Sequence, residues 1–427
     1  MTRSDPRISK RAIIVLMCFV AMLICYIDRV SMSTGVVAMA EEFGWSNTQR
    51  GSVLSAFFGG YLVAQIPGGW ITNRFGGRLV MGVSLLWWSL MTLVTPLAAF
   101  GSFALLIVTR IAMGVGEAAV TSCIYNLASR WLLPQERSRA MTVMISGIPM
   151  GTLIALLTST WLIQTWSWPT MFYAFGLLGF VFALFWFRIV HASPRQDPAI
   201  SPDERALLAS ADTAPAAEAS AAGRHVPWAK LLKSPSVWAL ITNHFCSNWS
   251  LYILLGWLPS YFRRYSELGI GSVGLYSALP WLLLFIVGNL AGLVGDRLIR
   301  RGWSILRVRK TMQAIGLVGS AAGLAIASFV TTPLAAVVAL CFSLGLLGFT
   351  WAGFGPNHLD IAPRHADVLA GLTNTAGTLP GVIGVILTGI IIDISGSFAL
   401  VFQISVIINL IGLAIWLRWA SGKPVVT

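Results

Sequence analysis

The feature that most constrains this 427-residue chain is a series of apolar stretches, each long enough to cross a lipid bilayer. A spanning helix needs about 20 mostly apolar residues. Breaks at glycine, proline and charge clusters place twelve such stretches at roughly 12–39, 47–72, 78–99, 102–130, 138–163, 169–190, 236–264, 272–298, 308–330, 333–361, 366–392 and 398–420. They are too long for barrel strands of about ten alternating residues. The sequence therefore predicts an all-α polytopic membrane protein with twelve transmembrane helices.

The composition and the distribution of charge agree with this class. The chain is 56% apolar and only 11% charged, which excludes a soluble domain with a polar surface. Its net charge of +13 is spread unevenly: with the N-terminus placed in the cytosol, most of the 29 Lys and Arg residues fall on the cytosolic side. This positive-inside bias reports topology and argues against a nucleic-acid partner. We predict a multi-pass protein of the cell inner (plasma) membrane, embedded in the lipid bilayer, with both termini cytosolic.

One polar stretch, between His191 and Ser234, divides the apolar pattern into two sets of six. We predict an N-terminal six-helix half at 1–190, a cytosolic linker at 191–235 and a C-terminal six-helix half at 236–427. Within the linker, Ser201 precedes Pro202 and Glu204, which is the pattern of a capped helix start. Residues 211–223, rich in alanine, are expected to be flexible and to carry no chemistry.

The two halves repeat each other. The spacing from Gly69 through Asn73 to Arg74 after the second stretch matches that from Gly292 through Asp296 to Arg297 after the eighth. A second pair, Gly147-x3-Gly151 and Gly377-x3-Gly381, recurs in the fifth and eleventh stretches. Duplicated halves with a site at their interface, near the middle of the membrane, are an architecture of secondary transporters. The repeats thus predict two pseudo-symmetric halves.

Four ionisable residues lie well inside the apolar stretches: Asp28, Arg29, Arg110 and Glu117. Left unpaired, they would cost about 10–14 kcal/mol on insertion scales. Arg110 and Glu117 are seven residues apart, so they share one helix face, and Gly114 between them allows close approach. We expect cross-helix ion pairs in the resting state.

Protonation of both carboxylates would leave a site with two free arginines, which bind a carboxylate through forked hydrogen bonds. The four charges therefore predict proton-coupled symport of an organic anion by alternating access. A structural alternative is that they only hold the first and fourth helices together. The variant Glu117→Gln distinguishes the coupling role from the structural role, because only the coupling role makes proton-driven uptake depend on the Glu117 carboxylate.

The loop after the second helix, with its repeat after the eighth, is the signature of the major facilitator superfamily, which the chain resembles over all twelve stretches. Six further segments allow a narrower comparison: Tyr26-x-Asp28-Arg29-Val30, Tyr61-x3-Gln65-Ile66-Pro67-Gly68-Gly69, Arg110-x3-Gly114-x-Gly116-Glu117, Asn248-Trp249-x2-Tyr252, Asn357-His358-Leu359-Asp360-Ile361-Ala362-Pro363 and Gly371-Leu372-Thr373-Asn374-Thr375. In these segments the chain resembles the anion:cation symporter family, which includes bacterial sugar-acid transporters and sialin.

The resemblance implies proton-coupling roles for Asp28 and Glu117. It also implies a substrate-binding set, to which the sequence adds two further cavity candidates in the C-terminal half. The whole predicted set is Tyr26, Arg29, Tyr61, Arg110, Tyr252, Trp351 and Asn374. His244 and His358 are weaker candidates for a proton relay, and a helix-end or capping role is favoured for His358.

Charged residues at the cytosolic helix ends are predicted to form gating salt bridges when that side is closed. The predicted gating residues are Asn73, Arg74, Glu136, Arg137, Asp296 and Arg297. Asn73 stands where the loop motif usually has aspartate, so the inner gate of the N-terminal half is expected to be weaker unless Asp296 and Glu136 compensate.

Other classes of function fit the sequence less well. No G-x-S-x-G, H-E-x-x-H or Cys/His cluster is present, so the sequence predicts neither an enzyme nor a metal site. Transport driven by a proton gradient needs no cofactor. The expected partners of a monomer are protons and a small organic anion, either a sugar acid or another carboxylate. Facilitated diffusion or anion exchange is the main alternative, and a membrane sensor that transports nothing is a more distant one.

Overall fold

The computed structural model describes residues 9–210, 228–265, 268–363 and 365–425, and the stretch 211–223 that was predicted to be flexible lies outside the described residues. Eight helices, α1 to α8, form the first six spans: Lys10–Phe43, Asn47–Phe75, Gly77–Gly101, Phe103–Glu117, Val120–Trp131, Pro134–Ile145, Gly147–Thr165 and Trp168–Ile189. Two short helices, α9 and α10, lie in the linker: Pro202–Ser210 and Trp228–Lys233. Helices α11 to α18 form the last six spans: Pro235–Arg263, Ile270–Arg300, Ile305–Ala327, Pro333–Leu347, Phe349–Gly353, Asn357–Ile361, Ala366–Ser395 and Ala399–Trp419.

The predicted all-α fold with twelve spans is confirmed. Within the described residues, ten helical segments are long and apolar enough to cross a membrane. Helices α2 and α11 have 29 residues each, so they are also long enough to cross, although they are more polar than the other ten. They complete the set of twelve. The division at 1–190, 191–235 and 236–427 stays a prediction.

Local sequence explains where several spans begin and end. Ser46 and Gln49 form a capping box at the start of α2, in which each side chain accepts a hydrogen bond from the backbone N–H of the other residue. Proline in the first turn starts α8, α11 and α14, where a missing N–H costs no helical hydrogen bond. Helix α1 ends at Gly44, whose φ of 68° is left-handed and favours glycine.

Three spans are interrupted, which the apolar pattern did not predict. The fourth span breaks at residues 118–119, directly after Glu117. The fifth breaks at Ser146, next to a Gly-Ile-Pro sequence, and the tenth is divided into α14, α15 and α16 by glycines and Pro356. Glycine and proline weaken the helical hydrogen-bond ladder at the last two sites. Transporters commonly place such interruptions near their binding sites.

The two six-span halves meet along three pairs of helices: α2 with α17, α7 with α12, and α1 with α11. We call the membrane side that carries the linker the linker side and the opposite side the far side. Among the residues that the structure describes, hydrogen bonds between the halves occur only at the far side, where Asp393 binds Asn47 and Thr48, and Arg263 binds Glu41. The halves are therefore joined by polar contacts at the far side.

The first part of the linker is attached to the N-terminal half. Helix α9 begins after Ser201, whose hydroxyl accepts from the Glu204 N–H at 3.2 Å, so the predicted capped helix is confirmed. The Glu204 carboxylate accepts from the backbone N–H groups of Lys10 and Arg11 and from the Arg11 guanidinium, at 3.0–3.1 Å. Glu204 thereby caps the start of α1 with a negative charge, where the helix dipole favours one.

Candidate functional site

An ion pair between Arg29 on α1 and Glu117 at the end of α4 lies in the interior of the N-terminal half. The Glu117 Oε2 atom accepts from Arg29 Nε at 2.9 Å and from Arg29 Nη2 at 2.7 Å. The Cys25 thiol donates to the same oxygen at 3.2 Å. Glu117 is fully buried and Arg29 is 8% exposed. A charge-assisted, two-armed pair thus links the first and fourth spans away from bulk solvent.

Three aromatic rings surround the Arg29 guanidinium. Its central carbon lies 4.5 Å from the centroid of the Tyr26 ring, 4.7 Å from that of Phe57 and 5.2 Å from that of Tyr61. Arg29 Nη1 also donates to the Tyr26 hydroxyl at 3.2 Å. Ring faces attract a cation, and the attraction grows when water is excluded. This aromatic cage, made of Tyr26, Phe57 and Tyr61, keeps the guanidinium in place.

Glycine allows the helices that carry the site to approach closely. A Cβ atom added at Gly114 on α4 would overlap the Phe57 carbonyl oxygen on α2, and it would lie 2.8 Å from the Tyr61 backbone nitrogen. Gly151 on α7 contacts α1 in the same way, beside Leu23 and Tyr26. Neighbouring backbones therefore touch at these positions, as the sequence predicted for Gly114. This contact brings the aromatic cage of α1 and α2 next to the acid on α4.

Asp28 and Arg110 are buried beside this pair without an ion pair of their own. Asp28 faces Trp88 and Thr92 on α3, and neither of its carboxylate oxygens has a hydrogen-bond partner among the described residues. Arg110 donates from Nη1 to the Met113 sulfur at 2.9 Å, and its Nε atom likewise has no partner in the described part of the chain. Cross-helix pairing is thus seen for Arg29 with Glu117 but not for Asp28 with Arg110.

A small cavity of about 30 Å³ opens next to the ion pair. Its lining includes the ion pair itself and two residues of the aromatic cage. The full lining is Met22, Cys25, Tyr26, Arg29, Tyr61, Glu117, Val120, Thr121 and Ile148. Positive charge, one carboxylate and phenol groups therefore converge on one space between α1, α2, α5 and α7.

The predicted residues of the C-terminal half lie on three other helices. Tyr252 on α11 reaches across the interface, with its ring centroid 4.6 Å from that of Phe58 on α2. Trp351 on α15 packs over Gly288 of α12, and Asn374 is half-buried on α17. The structure thus gathers Tyr26, Tyr61, Arg110 and Glu117 around Arg29, with Tyr252 opposite. Roles for all of them stay predictions.

The two histidines that were predicted as candidates for a proton relay make different kinds of contact. His358 bonds the Gly355 carbonyl through Nδ1 and the Thr373 hydroxyl through Nε2, both at 2.7 Å. Both ring nitrogens are therefore occupied, as expected for a helix-end residue. His244 stacks on Phe354 with 4.8 Å between centroids and packs against Gly377.

Three of the six predicted gating residues make side-chain contacts within their own half. Arg74 stacks on Trp70 and Phe75, whereas Glu136 binds Arg11 through both carboxylate oxygens at 2.7 Å. Arg137 donates to the Ser129 and Leu132 carbonyls at 3.3 Å. The remaining three, Asn73, Asp296 and Arg297, are exposed. The gating salt bridges were predicted only for a state that is closed at the linker side, so the gating roles stay predictions.

Two residues of the site were missed from the sequence. Neither Cys25 nor Phe57 was predicted as a site residue, yet the Cys25 thiol binds Glu117 and the Phe57 ring flanks both arginines. Helical spacing contains the signal, because Cys25 lies one turn before Arg29 and Phe57 one turn before Tyr61. Residues on the same face as a predicted site residue are therefore candidates themselves.

The twelve spans in two halves, with a buried ion pair next to the interface between them, define the class of polytopic secondary carriers. The chain belongs to the Major Facilitator Superfamily, whose family model matches residues 17–385. It is a membrane transporter, and because its relatives are transporters it is not an enzyme.

Several plant proteins are similar along almost the whole chain. Identity is 42% to Probable anion transporter 4, chloroplastic, of Oryza sativa subsp. japonica, over 97% of this chain and 69% of that protein. It is 40% to the chloroplastic ascorbate transporter of Arabidopsis thaliana, over 97% and 76% of the two chains. It is 41% to the chloroplastic Sodium-dependent phosphate transport protein 1 of the same plant, over 98% and 80%.

Solved structures share the fold at low sequence identity. A bacterial homolog to the human lysosomal transporter Spinster, inward-facing and occupied, superimposes with a TM-score of 0.76 at 15% identity over 97% of each chain. The inward open xylose transporter XylE from E. coli gives a TM-score of 0.78 at 13% identity, again over 97% of each chain.

The predicted location in a cell inner (plasma) membrane is wrong on these comparisons. The four relatives at 40–42% identity are chloroplastic proteins. The positive-inside bias orients spans with respect to a membrane, but it does not say which membrane that is. The prediction of a multi-pass membrane protein is confirmed.

Proposed function

We propose that this transporter moves a small organic anion together with protons by alternating access, with Arg29 as the anion site. The observation that carries the proposal is the buried Arg29–Glu117 pair, held within an aromatic cage and next to a cavity. Glu117 already binds Arg29 through a carboxylate, so the carboxylate of a substrate is suited to take its place on the same guanidinium. Residues 1–190 and 236–427 would be the two rocking units of a monomer, joined by 191–235.

Glu117 is suited to accept one proton. All three hydrogen bonds to its carboxylate fall on Oε2, whereas buried Oε1 has no partner among the described residues. A proton on Oε1 removes the negative charge without displacing any of these donors. The attraction to Arg29 then weakens, and its guanidinium becomes available to an incoming anion through a forked pair of hydrogen bonds.

Asp28 is suited to hold a second proton. It is fully buried and both of its oxygens lack partners in the described part of the chain. Burial without hydrogen bonds disfavours an anion far more than a neutral acid. Arg110 carries the second positive charge nearby, so loading with protons and an anion brings the cluster back towards neutrality. A neutral cluster crosses between the two conformations at lower cost.

The names of the relatives support an anion as the substrate. Their names include ascorbate, phosphate and unspecified anions. The single guanidinium in an aromatic cage fits an anion with a compact charged head and a ring or sugar-like body that lies against Tyr26 and Tyr61. We therefore propose a carboxylate or ring-stabilised oxyanion, with sugar acids and aromatic carboxylates as the first candidates.

Uptake into proteoliposomes tests this proposal. Labelled hexonates, hexuronates, sialic acid, tartrate, aromatic carboxylates, ascorbate and phosphate are offered with and without an imposed proton gradient. We expect at least one of them to accumulate above its equilibrium level only when the outside is acidic. Glu117→Gln should abolish this accumulation and keep counterflow exchange of the same anion, because glutamine cannot carry the proton.

Three outcomes contradict the proposal. Accumulation by the Glu117→Gln variant at the wild-type level removes the coupling role from Glu117. Equilibration without accumulation points to facilitated diffusion or anion exchange. Accumulation driven by a sodium gradient instead of a proton gradient shows that the coupling ion is sodium and not the proton.

A further inference from the structure

One side chain of the C-terminal half is bound to the first helical turn of α2 in the N-terminal half. The Asp393 Oδ1 atom, on α17, accepts from the Asn47 backbone N–H at 3.0 Å and from Asn47 Nδ2 at 2.9 Å. The Asp393 Oδ2 atom accepts from the Thr48 N–H at 2.7 Å and from the Thr48 hydroxyl at 2.5 Å. Both carboxylate oxygens are used, and all four donors belong to the other half.

We propose that Asp393 is the residue that holds the far side of the transporter closed. The first backbone N–H groups of a helix have no partner within that helix, and the helix dipole favours a negative charge beside them. A carboxylate at this position satisfies two such groups at once. Ser46 of the same half caps the Gln49 N–H, but the carboxylate that binds the Asn47 and Thr48 N–H groups comes from the opposite half. This part of the capping of α2 is therefore available only while the halves are together at the far side.

The backbones of α2 and α17 are in direct contact beside this carboxylate. Gly389 lies four residues before Asp393, and therefore on the same face of α17. A Cβ atom there would overlap the Asn47 carbonyl oxygen. At Gly51, one turn further along α2, a Cβ would lie 3.1 Å from the Val385 carbonyl oxygen. These glycines let the helices approach until the short Asp393 side chain reaches the backbone of α2.

Other polar contacts between the halves are weaker by geometry. Arg263 and Glu41 form one hydrogen bond of 3.0 Å, and their side chains are 36% and 52% exposed. Exposed single ion pairs of this kind contribute little to stability. Within the described residues, no hydrogen bond joins the halves at the linker side. Asp393 is exposed as well, but it accepts four hydrogen bonds, whereas the Arg263–Glu41 pair makes one. Among these polar contacts the far-side closure therefore depends mainly on Asp393, and opening that side requires all four of its hydrogen bonds to break.

Cysteine labelling in proteoliposomes tests this inference independently of proton coupling. Leu54→Cys reports on the far side, because Leu54 is 5% exposed and faces Gly256 of α11 across the interface. Gly371→Cys reports on the linker side, where an added side chain meets open space. Each reporter is labelled with a membrane-impermeant maleimide from its own side, and labelling of the parent chain is subtracted.

We expect Asp393→Ala to raise the far-side labelling rate about tenfold, which is the effect of losing one charged helix cap, and to lower the linker-side rate. Asp393→Asn keeps one acceptor oxygen and should raise the far-side rate by about threefold. The matched control, Glu41→Gln, should stay within about twofold of the parent.

Three results would overturn the inference. The first is an unchanged far-side rate in Asp393→Ala, and the second is an equal rise of that rate in Glu41→Gln. The third is a rise at both reporters in Asp393→Ala, because a loosened or unfolded chain exposes both sides, whereas a shifted equilibrium exposes one at the expense of the other.

Discussion

The two halves of this transporter share a fold but differ in the polar groups they bury. The N-terminal half encloses four ionisable side chains: Asp28, Arg29, Arg110 and Glu117. The interior of the C-terminal half holds mainly amides and hydroxyls among the described residues, and, apart from cysteine and tyrosine, its buried ionisable side chains are His358 and His365. Asn243 donates to the Ala239 and Gly412 carbonyls at 3.0 Å, and Asn409 donates to Ser250 at 3.0 Å and to Ser320 at 3.3 Å.

This difference separates two kinds of buried polarity. The amide nitrogens of Asn243 and Asn409 are fully used, so that network holds helices α11, α13 and α18 in one arrangement. In the N-terminal half Asp28, Arg110 Nε and Glu117 Oε1 have no partners among the described residues. Groups in this condition gain most from a proton or a counter-ion. Buried atoms without a partner also occur among the described residues of the C-terminal half, at Gln313 Oε1 and His244 Nδ1 for example, but the buried carboxylates and arginines of the spans without full partners lie in the N-terminal half.

The largest expected effect is on transport, from a change that keeps the charge in the N-terminal half. Arg29→Lys should lower kcat/KM for anion uptake by about 100-fold or more, because an ammonium group cannot form the forked pair or stack in the cage. The measurement is initial uptake in proteoliposomes. Arg309→Lys in the C-terminal half is the matched control, since Arg309 pairs with Asp360 at 2.9 Å. Its uptake should stay within about threefold of wild type. Equal losses of uptake in the two variants would refute the proposed difference between the halves.

A pair of glycine substitutions compares how tightly each half is packed. Gly114→Ala should lower the free energy of unfolding by about 3 kcal/mol, because its Cβ overlaps the Phe57 carbonyl oxygen, which is backbone. Gly377→Ala should cost about 1 kcal/mol, because its Cβ meets the His244 ring, which can rotate. Unfolding in detergent, followed by tryptophan fluorescence, measures both. A larger loss for Gly377→Ala would show that the C-terminal half is the less adaptable one.

Removing an amide from the C-terminal network should affect stability and spare transport. Asn409→Ala leaves the Ser250 and Ser320 hydroxyls with fewer partners, so the free energy of unfolding should fall by about 1–3 kcal/mol. The KM for the transported anion should stay within about twofold, since the site in the N-terminal half is untouched. A large rise in KM without loss of stability would show that this network contributes to the binding site.

The smallest expected effect is a displaced pH profile. Cys25→Ala removes the thiol that donates to Glu117 Oε2, so the carboxylate form is less stabilised and takes up its proton more readily. The pH of half-maximal uptake should move upward by about half a unit, a difference of about 0.7 kcal/mol. Cys25→Ser keeps a donor and should follow the wild-type profile. Identical pH profiles of uptake for the wild type, Cys25→Ala and Cys25→Ser would show that the thiol contributes only to packing.

Much of the fold was predictable because membrane insertion imposes its rules on local sequence. Each predicted stretch lies within about four residues of a helix in the structure, and α2 and α11 were recognised although both are comparatively polar. The cluster of Asp28, Arg29, Arg110 and Glu117 was predictable for the same reason, since charges are rare in apolar helices and conspicuous. Their pairing was not, because it depends on the rotation of α1 against α4.

Contacts between segments that are distant along the chain could not be predicted from the sequence. Asp393 falls just outside the predicted eleventh stretch at 366–392, where an acidic residue is unremarkable at a membrane boundary. Its importance depends on Asn47 and Thr48, more than 340 positions away along the chain. The interruption after Glu117 was missed because residues 118 and 119 are alanines, which favour helix and gave no signal.

The Arg29–Glu117 pair has a consequence for how tightly any anion can bind. Glu117 is tethered next to Arg29, so in the proposed mechanism it would compete with every incoming anion at an effective concentration far above that of a dissolved substrate. Exchange of one oxyanion for another would leave the number of hydrogen bonds nearly unchanged, and the net gain on binding would be small. A cargo held this loosely would leave quickly on the receiving side, because the Glu117 carboxylate would displace it as soon as its own proton departs.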